Sequence, residues 1–232
     1  MPAANVRREG IGSPEQTAMI YLDHAATTPV RDEVRGAMAE AEAAAFGNPS
    51  SPHAAGRRAR QALDGARERI VALLGGRTTG RERDRLIFTS GATEANRLAV
   101  LGMGGSGPVA CRFSARDHGS LAAASRELAG RGGDVAMLPL LGSGQLDCRT
   151  IRWNTPGGRR LLSTTLICGQ TGSLEDMAAV AAVAAGCLVH VDATQAIATE
   201  HVSFAQLDAA SLACAPHKFG DRKSTRLNSS HA

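Results

Sequence analysis

A largely parallel β-sheet covered by helices on both faces is the fold class this sequence predicts, and three observations predict it. Short apolar runs alternate with stretches of helical periodicity through residues 19–214, the rhythm of successive βαβ units. That rhythm implies largely parallel strands covered on both faces. The 232 residues, 43% of them hydrophobic, suffice for one sizeable core, while no run approaches the roughly 20 apolar residues of a membrane span.

Taken in order, residues 1–18 are polar, with Gly10, Gly12 and Pro14, and read as a loose extension. Residues 19–22 read as a short strand. The turn Asp23-His24-Ala25-Ala26-Thr27-Thr28-Pro29 follows, and Pro29, Asp32 and Glu33 suit a helix start. Residues 31–46 read as that helix, stopped by Gly47-Asn48-Pro49. A longer helix is expected over 54–74, where Leu63, Ala66, Ile70, Val71 and Leu74 recur at helical spacing before Gly75-Gly76 ends it. Strands are then expected at 86–88, 109–113, 135–140, 161–167, 187–191 and 209–214, with helices over 93–102, 118–129 and 174–185. Residues 221–232 break the rhythm: they are almost devoid of apolar side chains and hold Lys223, three serines and an asparagine. This tail is read as foreign, a sequencing or cloning scar carried in frame, and is left out of the predicted fold.

Charge and cysteine usage exclude several functions. Of the formal +4, the tail supplies three basic and one acidic residue, leaving +2 for the rest. With one Trp, one Tyr and no basic cluster among aromatics, nothing points to nucleic acid. Five cysteines without a C-x-x-C pair argue against a metal site and a disulfide framework, and charged residues stand where a signal peptide needs an apolar run. A reduced, cytoplasmic setting is therefore expected. Cys111, Cys168, Cys187 and Cys214 lie in or beside apolar runs and read as small buried hydrophobes. Cys148, in a polar loop, reads as the exposed thiol.

The basic residues divide into 24 arginines and two lysines, Lys218 and Lys223. Arginine serves surface charge as well as lysine does, but it does not lose its proton near neutrality and does not condense with a carbonyl. Lysine-specific chemistry is thus a live hypothesis for Lys218, which follows the last expected strand in Pro216-His217-Lys218-Phe219-Gly220. Ligands of parallel sheets bind beyond the carboxyl ends of the strands, and three further segments fall there. Thr89-Ser90-Gly91-Ala92-Thr93-Glu94-Ala95-Asn96 offers hydroxyls and helix-start N–H groups to a phosphate, although Ser90 or Thr93 also suits an ordinary cap. Asp192-Ala193-Thr194-Gln195 puts a carboxylate where a protonated pyridine ring would satisfy it, although Asp192 also suits a cap. His118 offers a stacking, titratable ring at a helix start. A phosphate cradle, an acid for a pyridinium, a stacking ring and an amine for an aldehyde together specify pyridoxal phosphate.

These segments carry a resemblance. Tyr21-Leu22-Asp23-His24-Ala25-Ala26-Thr27-Thr28-Pro29, Gly47-Asn48-Pro49-Ser50-Ser51-Pro52-His53, Phe88-Thr89-Ser90-Gly91-Ala92-Thr93-Glu94, His190-Val191-Asp192-Ala193-Thr194-Gln195 and His217-Lys218 make residues 19–220 resemble the cysteine desulfurases of the class V aminotransferase family. The resemblance implies the large pyridoxal-phosphate domain of the aspartate-aminotransferase-like fold. It implies Lys218 as the residue that binds the cofactor aldehyde and shuttles protons, Asp192 as partner of the ring nitrogen, and Gln195 as donor to the ring oxygen. His118 is implied as stacking and acid–base residue, and Ala92, Thr93 and His217 as phosphate contacts. The implied reaction takes sulfur from L-cysteine as an enzyme persulfide and leaves alanine, for sulfur transfer or iron–sulfur assembly. A homodimeric parent and a sulfur-acceptor protein come with it.

Three departures stand against the family pattern. Gly169, in Cys168-Gly169-Gln170-Thr171-Gly172, replaces an amide side chain expected at the ring oxygen. Ala215 replaces a phosphate-binding serine. The family's small domain, substrate-carboxylate arginine and persulfide cysteine are expected beyond residue 220, so the chain as given is expected to be an inactive N-terminal fragment. Another pyridoxal-phosphate activity of the family (selenocysteine lyase, carbon–sulfur lyase or aminotransferase-like) and a non-catalytic remnant are the alternatives.

Overall fold

The computed structural model describes residues 20–222 and, as backbone alone, Leu227–Ser230. The predicted extension over 1–18 lies outside the described residues. Two helices come first, α1 (Asp32–Ala44) and α2 (Ala54–Leu73). The alternating part is β1 (Arg85–Phe88), α3 (Ala92–Gly104), β2 (Val109–Ser114), α4 (Gly119–Gly130), β3 (Asp134–Leu138), β4 (Arg159–Thr165), α5 (Met177–Val183), β5 (Leu188–Asp192), α6 (Phe204–Leu207), β6 (Ser211–Cys214) and β7 (Leu227–Ser230). One sheet runs in the order β1-β7-β6-β5-β4-β2-β3. Strands β2 to β6 pair in parallel, and β7 lies antiparallel between β1 and β6.

The sheet separates two apolar layers, and neighbouring residues on β4 show how. Successive strand side chains point to opposite faces. Leu161 accordingly packs with Val100, Leu121 and Leu128 of α3 and α4, whereas Leu162 packs with Val180 of α5, Val189, Val191 and Leu212. Both leucines are fully buried. Register pairs Thr165 with Asp192 and Asp192 with Ala213, so the carboxyl ends of β4, β5 and β6 align at one edge.

The amino-terminal motif is strapped across that edge. Thr28 N–H and Oγ1–H both donate to the His217 carbonyl, at 2.8 and 2.9 Å, and Arg31 N–H donates to the Gly220 carbonyl at 2.9 Å. Gly220 has φ 97°, and a Cβ there would meet the Arg31 side chain at 2.7 Å. Only glycine satisfies both the backbone angle and the close approach. The Gly47-Asn48-Pro49 turn packs on the start of α2, where a Cβ at Gly56 would lie 2.3 Å from the Ser51 carbonyl.

The structure departs from the sequence expectations in three places. Residues 20–22 form no strand: Ile20 and Leu22 are 82% and 84% exposed, and among the described residues no strand runs beside them to take ladder hydrogen bonds. The expected helix over 174–185 starts only at Met177, because Asp176 caps it by accepting Ala179 N–H at 3.0 Å while Leu174 bridges to Ile167. The tail left out of the fold contributes β7. Main-chain pairing asks for no particular side chains, and the gap between β1 and β6 offers open ladder groups on both sides.

Candidate functional site

A cleft of about 500 Å³ opens at the carboxyl edge of the sheet, within the size range of small-molecule sites. All seven residues singled out from the sequence, Ala92, Thr93, His118, Asp192, Gln195, His217 and Lys218, line it, with Ala26, Asp117, Cys168, Gly169 and Thr194 among the others. The seven come from four segments, at or just after the ends of β1, β2, β5 and β6, brought together because these strands all end on the same edge.

Lys218 sits in the 3₁₀ turn Pro216–Lys218 after β6, and its Nζ donates to the Ala25 carbonyl of the strap. Gln195 Nε2 donates to the same carbonyl at 3.0 Å. At the end of β5, Asp192 is buried. Its Oδ1 accepts Thr194 N–H at 2.9 Å and its Oδ2 accepts an Asn96 amide hydrogen at 2.7 Å, so it does cap the following turn while still facing the cleft. His118 caps α4, its Nδ1 accepting Ser120 N–H at 3.2 Å. At α3 the expected hydroxyl cap is missing: the N-cap residue is Gly91, with no side-chain cap hydrogen bond. Thr89 Oγ1 instead donates to the Gly91 carbonyl at 3.1 Å. The start of this 13-residue helix therefore meets the cleft through Ala92 and Thr93, with the positive end of its dipole toward any bound anion.

The sequence reading missed several residues. Asp117 accepts Ser114 N–H at 2.8 Å and Thr165 N–H at 2.9 Å. Burial pushes its carboxyl from 3.8 up to about 7, with the charge of Asp192 adding and the N–H donors opposing. Beside it the Arg116 guanidinium, 2% exposed, donates to the carbonyls of Gly144, Thr165, Leu166 and Ser173 and lies 3.9 Å from Glu175. It thereby pins the 166–175 loop that carries Gly169. A single arginine among 24 gave no signal of this. Asn96 and Ser120 did carry one, being polar residues on the apolar faces of α3 and α4.

Gly169 leaves room that Gln195 fills: a Cβ there would come within 3.1 Å of Gln195 Nε2. Of the cysteines, Cys111 and Cys214 are buried, and burial pushes their thiols up to about 11 and 12. Cys148 and Cys187 are half-buried, so Cys187 is less enclosed and Cys148 less open than their sequence neighbourhoods imply. Cys168 is buried and lines the cleft. Burial raises its thiol pKa, but hydrogen bonds from Thr171 and from the backbone of Gln170, together with the Arg116 charge, bring it below the ordinary value. Among the described residues no His, Cys, Asp or Glu cluster is suited to a metal ion.

The donor set fits a phosphorylated pyridine aldehyde: a primary amine, a buried carboxylate, a helix start, and the buried Thr194 Oγ1, which has no hydrogen-bond partner among the described residues. Fold and cleft together define a parallel α/β ligand-binding domain built around one lysine at its carboxyl edge. Residues 20–220 match the family model "Aminotransferase class-V", and the chain belongs to that family, whose members are pyridoxal-phosphate enzymes. It is 31% identical over 211 residues to the cysteine desulfurase IscS of Dictyoglomus turgidum, covering 86% of this chain and 51% of that protein. Over 88 residues it is 44% identical to human selenocysteine lyase, covering 38% of this chain and 18% of that protein. A solved structure described as SspA in complex with cysteine superposes with a TM-score of 0.79 at 26% identity, covering 90% of this chain and 60% of that one. The chain spans about half the length of the IscS relatives it matches.

Proposed function

We propose that the whole protein is a pyridoxal-phosphate-dependent cysteine desulfurase, taking sulfur from L-cysteine as an enzyme persulfide and leaving alanine. The observation that carries this reading is the convergence of Lys218, Asp192, His118, Gln195 and the start of α3 on one cleft, in a chain 31% identical to an IscS over most of its length. The cofactor, when bound, supplies an aldehyde that links to amines and a ring that stabilises negative charge at the substrate Cα.

The chain's own residues do the rest. Lys218 would hold the aldehyde and could move protons at the substrate carbon. Asp192, held by Asn96 and Thr194 N–H, would pair with the ring nitrogen. His118 would stack on the ring and serve in acid–base steps, and Gln195 would donate to the ring oxygen. Ala92, Thr93 and His217 would hold the phosphate. No persulfide nucleophile is assigned to Cys111, Cys148, Cys168, Cys187 or Cys214; Cys168 is the one at the cleft, and its buried thiol lies 3.9 Å from the Arg116 carbonyl. The 232 residues by themselves are accordingly proposed to be inactive in sulfur transfer. A homodimeric parent, a sulfur-acceptor protein and a cytoplasmic setting belong to the same reading. Among the described residues no helix is long and apolar enough to cross a membrane.

Selenocysteine lyase is the second reading, favoured by the 44% identity over 88 residues to the human enzyme. Assaying the full-length protein with L-cysteine and with L-selenocysteine, scoring alanine, sulfide and selenide, tests both. Equal release of alanine and reducible sulfur from cysteine is expected. Turnover of selenocysteine alone would replace the first reading by the second, and turnover of neither would sink both.

A further inference from the structure

The geometry points to Asn96 as a positioning residue that ties the Asp192 carboxylate and the His118 ring into one directional hydrogen-bond circuit that extends through His190 to Ser211. Asn96 Nδ2 lies 2.7 Å from Asp192 Oδ2 and 2.9 Å from Ser120 Oγ, while Asn96 Oδ1 lies 3.0 Å from His190 Nε2. Ser120 Oγ lies 2.8 Å from His118 Nδ1, and His190 Nδ1 lies 2.7 Å from Ser211 Oγ. Asn96, Ser120, His190, Asp192 and Ser211 are all buried.

Two groups at the ends of this set have directions that cannot reverse. A carboxylate only accepts, so the Asn96 amide turns its NH₂ toward Asp192 and its carbonyl toward His190. His190 must then carry a proton on Nε2, and in the neutral ring Nδ1 accepts from the Ser211 hydroxyl. At the other end Ser120 N–H only donates, so His118 Nδ1 is an acceptor. The Ser120 hydroxyl therefore gives its hydrogen to His118 and receives the second Asn96 amide hydrogen. The Ser211 hydroxyl, which also lies 3.7 Å from Met103 Sδ, gives its one hydrogen to the stronger acceptor, His190 Nδ1. For neutral rings the result is a proton on Nε2 of both His190 and His118. Burial favours a neutral His190, lowering its pKa, while Asp192 on its own strand and a hydrogen bond to the Ser211 backbone work against that lowering. Asp117, at the carboxyl end of β2, is the other acid near Asp192.

Asn96 thus touches neither substrate nor cofactor but joins the residues proposed to hold the ring nitrogen and the ring face. The inference deepens the pyridoxal-phosphate reading of the cleft, yet its test needs no cofactor. The chain is labelled with ¹⁵N-histidine, His118 and His190 are assigned by His118→Gln and His190→Gln, and long-range ¹H–¹⁵N correlations are recorded across pH. Both rings are expected as the Nε2–H tautomer near pH 7, with His190 uncharged well below the ordinary value of about 6.5. Asn96→Ala should release His190 to titrate nearer that value and should loosen the His118 tautomer. Ser120→Ala should change His118 alone. His190 as the Nδ1–H tautomer in the unsubstituted chain would overturn the circuit, as would Ser120→Ala moving both rings. If Asn96→Ala does not fold, the unsubstituted tautomers and Ser120→Ala decide alone. Failure of Lys218 to take pyridoxal phosphate would sink the functional reading and leave this result standing.

Discussion

Replacing Arg116 with Met removes a cation that holds three loops together at the floor of the cleft. Its guanidinium donates to Gly144, Thr165, Leu166 and Ser173 carbonyls, and it shares a buried site with Glu175, their side chains 2% and 1% exposed. Glu175 also accepts Leu146 N–H at 3.1 Å and Thr164 Oγ1–H at 3.1 Å. Hydrogen bonds to a charged group are worth about 1.5–3 kcal/mol each, and four of them summed would rival the whole stability of a domain, about 5–15 kcal/mol, so they do not add. The cost that dominates is the Glu175 charge left buried without its partner, about 3–5 kcal/mol. Arg116→Met should therefore lower the urea-unfolding free energy by about 4 kcal/mol, nearly a thousandfold in the folded-to-unfolded ratio. Arg116→Met with Glu175→Gln should recover part of the loss. A measured loss below about 1 kcal/mol, or a double variant no better than the single, would refute the reasoning that a buried pair organises this loop.

Three further outcomes follow from the same geometry. Because the Asp117 carboxyl is raised from 3.8 to about 7, the folded state binds its proton more tightly, so this contribution to stability is complete below about pH 4 and is lost as pH rises through 7. At about 1.4 kcal/mol per pH unit it amounts to at most about 4 kcal/mol. The lowered pKa of His190 has the opposite sign: its contribution is present above the ordinary 6.5 and is lost on acidification. Thermal melts against pH should lose the first slope in Asp117→Asn and the second in His190→Gln, and unchanged slopes in both would reject the assignments. Gly169→Asn must displace Gln195, which a Cβ would approach to 3.1 Å. It should cost about 1 kcal/mol in stability yet tighten cofactor retention about fivefold through a restored amide contact, and weaker retention in equilibrium dialysis would contradict that. Asp192→Ala strips Asn96 of an acceptor and the ring nitrogen of its partner. Cofactor affinity should fall at least tenfold, about 1.4 kcal/mol, and full affinity would remove Asp192 from its role.

Much of the edge was legible in the sequence because parallel strands deliver their following residues to one place. Asp192 ends the buried run of β5 and Lys218 stands four residues beyond β6, and the alternation of runs and helices fixes which end of the sheet those positions occupy. What escaped depends on contacts across layers. Asn96 reads as one polar residue in a helix, and its meaning comes from His190 and Asp192, 94 and 96 residues away in the chain. Arg116 is silent because arginine fills nearly every cationic position here. Residues 20–22 misled in the other direction, since an apolar run becomes a strand only beside a partner. The tail misled because the pairing of β7 rests on main-chain groups, which composition does not record.

The central claim is that Lys218 takes the aldehyde of pyridoxal phosphate, and covalent mapping tests it most directly. The protein is incubated with the cofactor, reduced with borohydride, digested and read by mass spectrometry for the pyridoxyl phosphate adduct, with Lys218→Arg in parallel. The account predicts the adduct on Lys218, an absorbing yellow protein before reduction, and neither in Lys218→Arg. An adduct confined to Lys223 or the amino terminus, with Lys218 unmodified, would contradict it.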